Sequence, residues 1–292
     1  MSISDQLLQF LIAGISIGSI YAVVGIGFMI VVSVTRILNF TQGESVMLGG
    51  MVSTVFYPTL PLFVSILCAV VFTTLFGMIV YRLVIYPIRK APVFALILAT
   101  FGASIVIRGI SLVIWGTDFR ILPTFFKLET IHVGGAMVHT QALCITGATL
   151  LIGIVLFLFF EFTVPGKAFR ASSINALGAT LRGIRTERMG MVAFMMAGFI
   201  GGLAGAVLTP MMCTSYEMGL GISIKGFFAG IIGGLNRIEG IIAGGLALGI
   251  LETFGAGLIH SGFKDAIPLF IFLVVLYFRR GGLLGGAESG KI

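Results

Sequence analysis

The sequence has 292 residues, of which 58% are hydrophobic and only 10% are charged, and its mean hydropathy is +1.15. Soluble domains carry about 25% charged residues, and a soluble chain this apolar would have too little polar surface to face water. The composition therefore excludes an ordinary soluble domain. The formal charge of +7 would favour nucleic-acid binding in a soluble protein, but here the basic residues lie between apolar segments, so we expect a lipid bilayer and no nucleic acid as partner.

Nine apolar segments follow one another along the chain. A bilayer core of about 30 Å needs about 20 apolar residues per helix, so the segments 44–57 and 225–236 are short and could either cross or re-enter. The sequence predicts an all-α polytopic membrane protein, a single transmembrane domain over residues 1–292 with a bundle of about 8–9 helices, some short or broken. The predicted spans are 7–34, 44–57, 62–83, 93–116, 141–162, 190–212, 225–236, 238–260 and 265–280.

The loops between these spans differ in their basic residues. Of the 18 Lys and Arg residues, 13 fall on alternate loops and the C-terminal end, whereas the opposite loops carry only Arg120, Lys127 and Lys264. Short cytoplasmic loops are enriched in Lys and Arg, which predicts an external N-terminus and a cytoplasmic C-terminus. The first apolar run is too long for a signal-peptide core and no Lys or Arg precedes it, so we expect it to be retained.

Glycines four residues apart recur within the spans. Small residues at this spacing let transmembrane helices approach closely, so they predict a tightly packed bundle. The pairs are Gly14 with Gly18, Gly198 with Gly202, Gly201 with Gly205, Gly230 with Gly234, Gly240 with Gly244, and Gly245 with Gly249.

Two polar segments interrupt the apolar pattern, one in the first quarter of the chain and one in the last. Residues 35–44 (TRILNFTQGE) and 233–240 (GGLNRIEG) each combine Asn, a basic residue, Glu and Gly beside a short span. Such segments in two halves of a chain are typical of a transporter's midplane site, because broken backbone at membrane depth requires partners from protein or water. The alternative is that both are ordinary cytoplasmic turns.

Two ionisable residues fall inside predicted spans, Arg108 in 93–116 and Glu252 in 238–260. A charge at a helix centre costs about 2.5–3.5 kcal/mol on insertion scales, so each should face protein or water. We expect the two to form a structural pair with each other, with a substrate contact as the alternative. Lys225 is expected at the mouth of a short span, and Glu161 is expected to be an interfacial charge.

The longest basic loop, residues 163–189, has a helical pattern of its own. Ala, Leu and Arg recur at helical spacing and Gly178 and Gly183 punctuate the segment, which predicts two short amphipathic helices joined by a Gly turn. Such a loop is either a docking element for a cytoplasmic partner or a basic surface helix lying on anionic lipid.

Residues with catalytic or metal-binding chemistry are few. His132, His139 and His260 have no Cys, Asp or Glu at a ligand spacing, and the three cysteines, Cys68, Cys144 and Cys213, are far apart. We therefore expect no catalytic residue, no metal, no cofactor and no enzymatic activity.

Short motifs in a fixed order connect the chain to a known family. Residues 37–44 (ILNFTQGE) are similar to the family's Ile-Asn-Phe-Ala-His-Gly-Glu segment, with Thr-Gln in place of Ala-His. Over essentially its full length the chain resembles the permeases of branched-chain amino-acid ABC importers, specifically the first (H-type) of two paired permease subunits. The other matching segments are 18–25 (GSIYAVVG), 166–171 (GKAFRA), 225–234 (KGFFAGIIGG), 240–245 (GIIAGG) and 279–285 (RRGGLLG).

The resemblance implies a permease subunit of the bacterial inner membrane that has no ATP site. It implies three kinds of partner: a second permease subunit, two ATP-binding subunits that hydrolyse ATP, and an external solute-binding protein. The solutes would be branched-chain amino acids or related small polar molecules.

The resemblance also assigns roles to residues. Loop 163–189 would be the coupling loop that fits a groove on the ATPase, and the candidates for coupling are Gly166, Ala168, Arg170, Ala171, Gly183 and Ile184. The candidates for the translocation path are Asn39, Gln42, Glu44, Asn236 and Glu252. An ATP-independent secondary transporter or channel, in which Arg108 and Glu252 carry ions or protons, is the alternative function.

Overall fold

The structure, a computed structural model, describes residues 3–126, 130–133, 136–235, 237–258 and 260–278. The segment 279–285, one of the family-like motifs, lies outside these residues. The described helices are α1 (Ile3–Thr35), α2 (Gln42–Phe56), α3 (Leu62–Val80), α4 (Tyr86–Ile88), α5 (Val93–Trp115), α6 (Thr140–Phe162), α7 (Val164–Ile174), α8 (Ala176–Leu181), α9 (Thr186–Leu208), α10 (Met218–Gly233), α11 (Ile238–Leu258) and α12 (Ala266–Phe278).

The predicted all-α polytopic class is confirmed. By length and composition, six helices among the described residues can cross a membrane: Asp5–Thr35, Leu62–Ile88, Val93–Trp115, Thr140–Phe162, Thr186–Leu208 and Ile238–Leu258. Two further apolar helices, α10 and α12, are shorter. The chain is therefore a multi-pass membrane protein.

Three local features differ from the sequence predictions. Strands β1 (Thr130–Val133) and β2 (Ala136–His139) pair antiparallel in the loop between α5 and α6, and the two glycines between them in the sequence are a typical hairpin connection. A π-helical turn at Tyr81–Ile85 joins α3 to α4, where Pro87 has no N–H to continue an α-helical ladder. Helix α10 begins at Met218, seven residues before the predicted span, so Lys225 lies inside the helix rather than at its mouth.

Loops that the sequence assigns to the same side of the membrane are expected to meet at one end of the bundle. At the basic end, Glu187 at the start of α9 pairs with Arg89 at 3.1 Å and its carbonyl accepts a hydrogen bond from the Tyr81 hydroxyl. At the opposite end, the backbones of Arg120 and Thr214 exchange two hydrogen bonds of 2.9 and 2.8 Å. Loops that the sequence assigns to the same side therefore meet in space.

Helix α1 packs closely along α11 through glycines of both helices. A β-carbon on Gly18 would lie 2.6 Å from the carbonyl oxygen of Gly245, and one on Gly14 would lie 2.7 Å from the Cα atom of Ile250. Neither neighbour is a flexible side chain that could move aside. The predicted role of these glycines in close helix packing is confirmed at this contact.

Helix α2 lies in the interior of the bundle. All its residues from Gln42 to Thr54 are buried, and it is enclosed by α3, α9 and α10. Its 15 residues span about 22 Å, less than the hydrocarbon core of about 30 Å. The short apolar run at 44–57 is thus a helix surrounded by protein, which removes the need for a full-length span.

We predict that Gly18→Val destabilises the protein, because backbone atoms of α11 occupy the space of the new side chain. Overpacking of this kind costs about 2 kcal/mol, which corresponds to a thermal midpoint roughly 5 °C lower. The measurement is thermal unfolding of the purified chain in detergent. Gly102→Val on α5 is the matched control, since a β-carbon there meets nothing within 4 Å; equal destabilisation by both variants would contradict this account of the contact.

Candidate functional site

The stretch between α1 and α2 enters the membrane without helical structure. The Thr100 hydroxyl of α5 donates to the carbonyl oxygen of Leu38 at 3.0 Å and accepts from the backbone N–H of Phe40 at 3.3 Å. The Ser223 hydroxyl of α10 donates to the carbonyl oxygen of Phe40 at 3.2 Å. Side chains of two neighbouring helices therefore satisfy the backbone groups that a helix would have satisfied internally.

The depth of this stretch follows from its partners on α5. Helix α5 starts at Val93, at the basic end, and Ser104 is eleven residues further on, or about 16 Å along the axis. Because Ser104 bonds to Glu44, the start of α2 lies near the middle of a hydrocarbon core of about 30 Å. The first polar interruption is thus unwound backbone within the membrane rather than a surface turn, and α2 continues from it toward the opposite end of the bundle. We call residues 36–41 the unwound stretch.

Asn39 organises the turn that starts α2. Its Oδ1 atom accepts from the Thr41 hydroxyl at 2.7 Å and from the Thr41 backbone N–H at 3.2 Å. The side chain is 3% exposed. Asn39 therefore has a local structural role, since such side chains commonly stabilise turns by bonding to the backbone two residues on.

Gln42 connects the start of α2 to α9. It is fully buried, and its Nε2 atom donates to the carbonyl oxygen of Ala197 at 3.1 Å, whereas its Oε1 atom has no hydrogen-bond partner. A β-carbon on Gly27 of α1 would collide with this amide. Gln42 is thus enclosed between three helices.

Glu44 is the centre of a buried ion cluster. The carboxylate is fully buried; its Oε1 atom accepts from the Ser104 hydroxyl at 2.7 Å and lies 3.3 Å from Nε of Arg108. The Arg108 contact is an ion pair without aligned hydrogen-bond geometry, because Nε has no hydrogen-bond partner. The other oxygen, Oε2, has none either, and a β-carbon on Gly219 of α10 would collide with it.

Arg108 connects this cluster to a cavity at the less basic end. Its side chain is 22% exposed and lines an open cavity of about 420 Å³ with Tyr216 and Glu217. The Tyr216 hydroxyl donates to Oε1 of Glu217 at 2.6 Å, and this bond raises the pKa of Tyr216 above its usual value. The cavity thus presents a cation and a carboxylate, which are complementary to a zwitterion.

Glu252 pairs with Lys225, so the expected pairing of Arg108 with Glu252 is wrong. Nζ of Lys225 on α10 lies 2.9 Å from Oε1 of Glu252 on α11 and 2.8 Å from Oδ1 of Asp265. Glu252 is buried whereas Asp265 is largely exposed. Arg108 and Glu252 have different partners because the position of α2 places Glu44, and not Glu252, beside Arg108.

The second polar interruption lies at the basic end of the bundle. Helix α10 ends at Gly233 and α11 begins at Ile238, and Gly234 takes a φ of +86° at the end of α10. Arg237 lines the same cavity as Arg170 of α7. Asn236, a candidate for the path, lies outside the described residues.

The segment 163–189 forms two helices, α7 and α8, with the break at Asn175. Asn175 caps α8, since its Oδ1 atom accepts from the Gly178 N–H at 2.9 Å, so Gly178 lies within the second helix and the expected Gly turn between the helices is wrong. Gly183, with φ of +83°, instead follows α8. Asn succeeds at the break because its side chain replaces a missing backbone partner.

Contacts with the membrane helices position α7. A β-carbon on Gly166 would collide with the carbonyl of Phe159 on α6, so only glycine permits this approach. Arg170 pairs with Glu161 at 2.7 Å, which gives Glu161 a partner beyond its expected interfacial role. Arg36, a non-glycine residue with φ of +58° at the end of α1, donates from its guanidinium to the Ser173 carbonyl at 2.8 Å.

The candidate coupling residues differ in exposure. Gly166 is buried; Ala168, Ala171 and Ile184 are half-buried; Arg170 and Gly183 are exposed. Beside them are large exposed apolar side chains, Val164, Ile174, Leu177 and Leu181, each at least 74% exposed. The loop therefore presents apolar surface among its basic residues that this chain does not cover.

The sequence analysis did not identify the polar side chains that surround the unwound stretch. Thr100, Ser104, Arg108 and Ser111 follow one another at helical spacing on α5, a signal that could have identified one polar face in an otherwise apolar helix. Ser223 had no such signal. Among the described residues, no group of three or more His, Cys, Asp or Glu side chains could hold a metal ion.

Comparison with known proteins gives a consistent result. The family described as branched-chain amino acid transport system, permease component, matches residues 10–276. The chain is 27% identical to the high-affinity branched-chain amino acid transport system permease protein BraD of Pseudomonas aeruginosa, with 98% of each chain covered. It is also 27% identical to the corresponding protein LivH of Escherichia coli strain K12, with 99% of this chain and 100% of the relative covered.

A more distant relative is named for a different solute. The ribose import permease protein RbsC of Haemophilus influenzae is 25% identical, with 80% of this chain and 73% of the relative covered. No solved structure matches the chain significantly.

We predict that Arg108→Met destabilises the protein by about 3 kcal/mol, because it leaves the buried carboxylate of Glu44 without its cation. The double variant Glu44→Gln/Arg108→Met should be more stable than Arg108→Met alone, since it removes both charges. The measurement is a double-mutant cycle of unfolding free energies in detergent. Strictly additive effects of the two substitutions would show that the ion pair does not couple these residues.

Proposed function

The chain belongs to the family of branched-chain amino acid transport system permeases, and on that premise we propose that it moves branched-chain amino acids or related small polar solutes into a bacterial cell. Membership makes the chain a permease subunit of an ABC importer. The observation that carries the proposal is the match across residues 10–276, which spans every described helix from α1 to α11 in part or whole. The bacterial inner membrane is the proposed location.

The proposed orientation places the basic end in the cytoplasm. Arg89, Glu187 and the coupling loop lie together at that end, and short cytoplasmic loops are rich in Lys and Arg. The N-terminus is then external and the C-terminus cytoplasmic. The proposed number of transmembrane segments is about 8–9, counting α10 and α12 as short crossings and α2 as a helix that protein encloses.

Residues 163–189 are proposed as the coupling loop for an ATP-binding subunit. Exposed Ile174, Leu177 and Leu181 support this proposal, because apolar side chains that extend beyond a membrane domain are typical of a protein contact. Gly166 and Gly183 would set the position of α7 and the end of α8, and Arg170 would face the partner. A second permease subunit, two ATP-binding subunits and an external solute-binding protein complete the proposed assembly.

The proposed translocation path runs beside the start of α2. Residues Asn39, Gln42 and Glu44 lie there, and the positive end of the α2 dipole suits a carboxylate group. All three side chains are buried within this chain, so their role would be to hold the unwound stretch beside the path. Asn236 and Glu252 are proposed for the path on the sequence alone.

The ATP-independent alternative gains no support from the geometry. It depended on Arg108 and Glu252 as mobile carriers of charge, but each has an opposite charge within 3.3 Å. Charges held in this way stabilise contacts between helices. The energy for transport is accordingly proposed to enter through the coupling loop.

We predict that Leu177→Glu abolishes ATP-driven uptake while leaving the permease folded, because the side chain is 74% exposed in the isolated chain and would place a charge in the ATPase contact. The measurement is uptake of labelled leucine into proteoliposomes that contain the complete importer and solute-binding protein, with and without ATP. The control is Lys90→Glu, an exposed change of charge at the same end but outside the coupling loop.

Two results would count against the proposals. Uptake by the unaltered importer without ATP would favour the secondary transporter. Normal ATP-driven uptake by Leu177→Glu would remove α8 from the coupling contact.

We predict that a membrane-impermeant maleimide labels Cys213 in intact cells, because this free cysteine is exposed between α9 and α10, on the proposed outer side. In a Cys213→Ser background, Thr180→Cys on α8 should react only after the membrane is opened. Labelling is measured by mass shift of the purified chain. Labelling of Thr180→Cys in sealed cells would reverse the proposed orientation.

A further inference from the structure

A second cavity lies at the basic end, and no residue of the unwound stretch lines it. Its volume is about 490 Å³, within the range of about 300–1,000 Å³ that is usual for small-molecule sites. Four helices contribute to it: α1 through Ser33, α6 through Phe157 and Phe160, α7, and the start of α11. Of the residues proposed for the translocation path, Asn39, Gln42, Glu44 and Glu252 do not line it.

The charged residues of this cavity have opposite signs and are separate. Arg237 and Glu239 both line it and both are exposed, yet among the described residues neither takes part in an ion pair. Arg170 also lines the cavity, with Glu161 as its partner at 2.7 Å. The cavity is therefore lined by a guanidinium and a carboxylate that have no ion-pair partner among the described residues.

Apart from Ser33 and Ser173, the remaining lining is apolar and continues to the exposed surface of α6. Phe157 is 45% exposed, and Ile154 and Leu158 beside it on α6 are also exposed. Phe160 and Phe169, both buried, also line the cavity, and their rings pack at a tilt of 44° with centroids 5.2 Å apart. An amphipathic ligand could thus place its polar group at the rim and an apolar chain along α6.

We propose that this cavity binds the headgroup of a phospholipid with a primary amine, of the phosphatidylethanolamine type. The phosphate bonds to Arg237, with Arg170 beside it, since guanidinium groups bind phosphate oxygens in a bidentate geometry. The ammonium bonds to Glu239. Basic pockets between transmembrane helices on the cytoplasmic side are suited to lipid headgroups, and the carboxylate adds selectivity for the amine.

A free amino acid also carries one anionic group and one ammonium group, so the experiment must distinguish a bound lipid headgroup from a bound amino acid. Purified chain in detergent is titrated with phosphatidylethanolamine, phosphatidylcholine or phosphatidylglycerol, and bound lipid is counted by native mass spectrometry. We expect phosphatidylethanolamine to bind about tenfold more tightly than phosphatidylcholine, whose quaternary amine has no N–H to donate. Leucine at millimolar concentration should leave the bound lipid in place.

Two variants assign the charges. Glu239→Gln should abolish the preference for phosphatidylethanolamine over phosphatidylcholine, and Arg237→Gln should weaken binding of both about tenfold. Arg185→Gln, an exposed arginine at the same end that does not line the cavity, is the control and should bind like the unaltered chain. Since both altered side chains are exposed, unchanged thermal unfolding will show that the variants are folded.

The proposal fails on either of two results. Equal binding of the three lipids by the unaltered chain would mean that the headgroup is not recognised. Displacement of lipid by leucine, in a manner that depends on Arg237 and Glu239, would assign the cavity to a free amino acid. Neither result concerns ATP-driven uptake, so failure here leaves the proposed transport function untouched.

Discussion

Backbone polar groups at membrane depth require hydrogen-bond partners, and this constraint governs the stretch between α1 and α2. Lipid offers no partner for them, so a non-helical strand can enter the bilayer only where protein surrounds it. Thr100 and Ser223 supply the missing bonds from two different helices. The burial of α2, the polar face of α5 and the start of α10 are all consequences of placing this stretch at mid-depth.

Enclosing a helix on all sides requires that its neighbours come close. Glycines make this possible: a β-carbon on Gly43 would collide with the Gly219 carbonyl, and one on Gly205 would collide with the carbonyl of Val46. At such distances the backbone itself forms the contact surface, and dispersion forces replace the hydrophobic effect, which lipid does not provide. Close packing of this kind accounts for many of the chain's 41 glycines.

The sequence predicts the spans well because bilayer thickness imposes their length, and the helix bounds of α5 and α6 agree with the predicted spans to within one residue. Partners of buried charges are a different matter. Whether Arg108 meets Glu44 or Glu252 depends on how deeply α2 enters the bundle, and no local pattern in the sequence specifies that depth. The sequence likewise predicts Lys225 at the mouth of a short span. Its ion pair with Glu252 depends on α10 and α11 lying side by side, which the sequence alone does not show.

The distribution of charge also bears on how such a chain can be driven. A transporter driven by protons needs an ionisable group that gains and loses a proton during each cycle, but here Glu44 and Glu252 are each paired with a cation. At the basic end, Arg237 and Glu239 have no ion-pair partner among the described residues, and α7 and α8 present exposed apolar side chains. The Arg36 guanidinium, at the end of α1, donates to the Ser173 carbonyl in the last turn of α7. Helix α1 packs along α11 and leads directly into the unwound stretch. A force that a partner applies to α7 would therefore act through Arg36 on the unwound stretch and, through that stretch, on the start of α2.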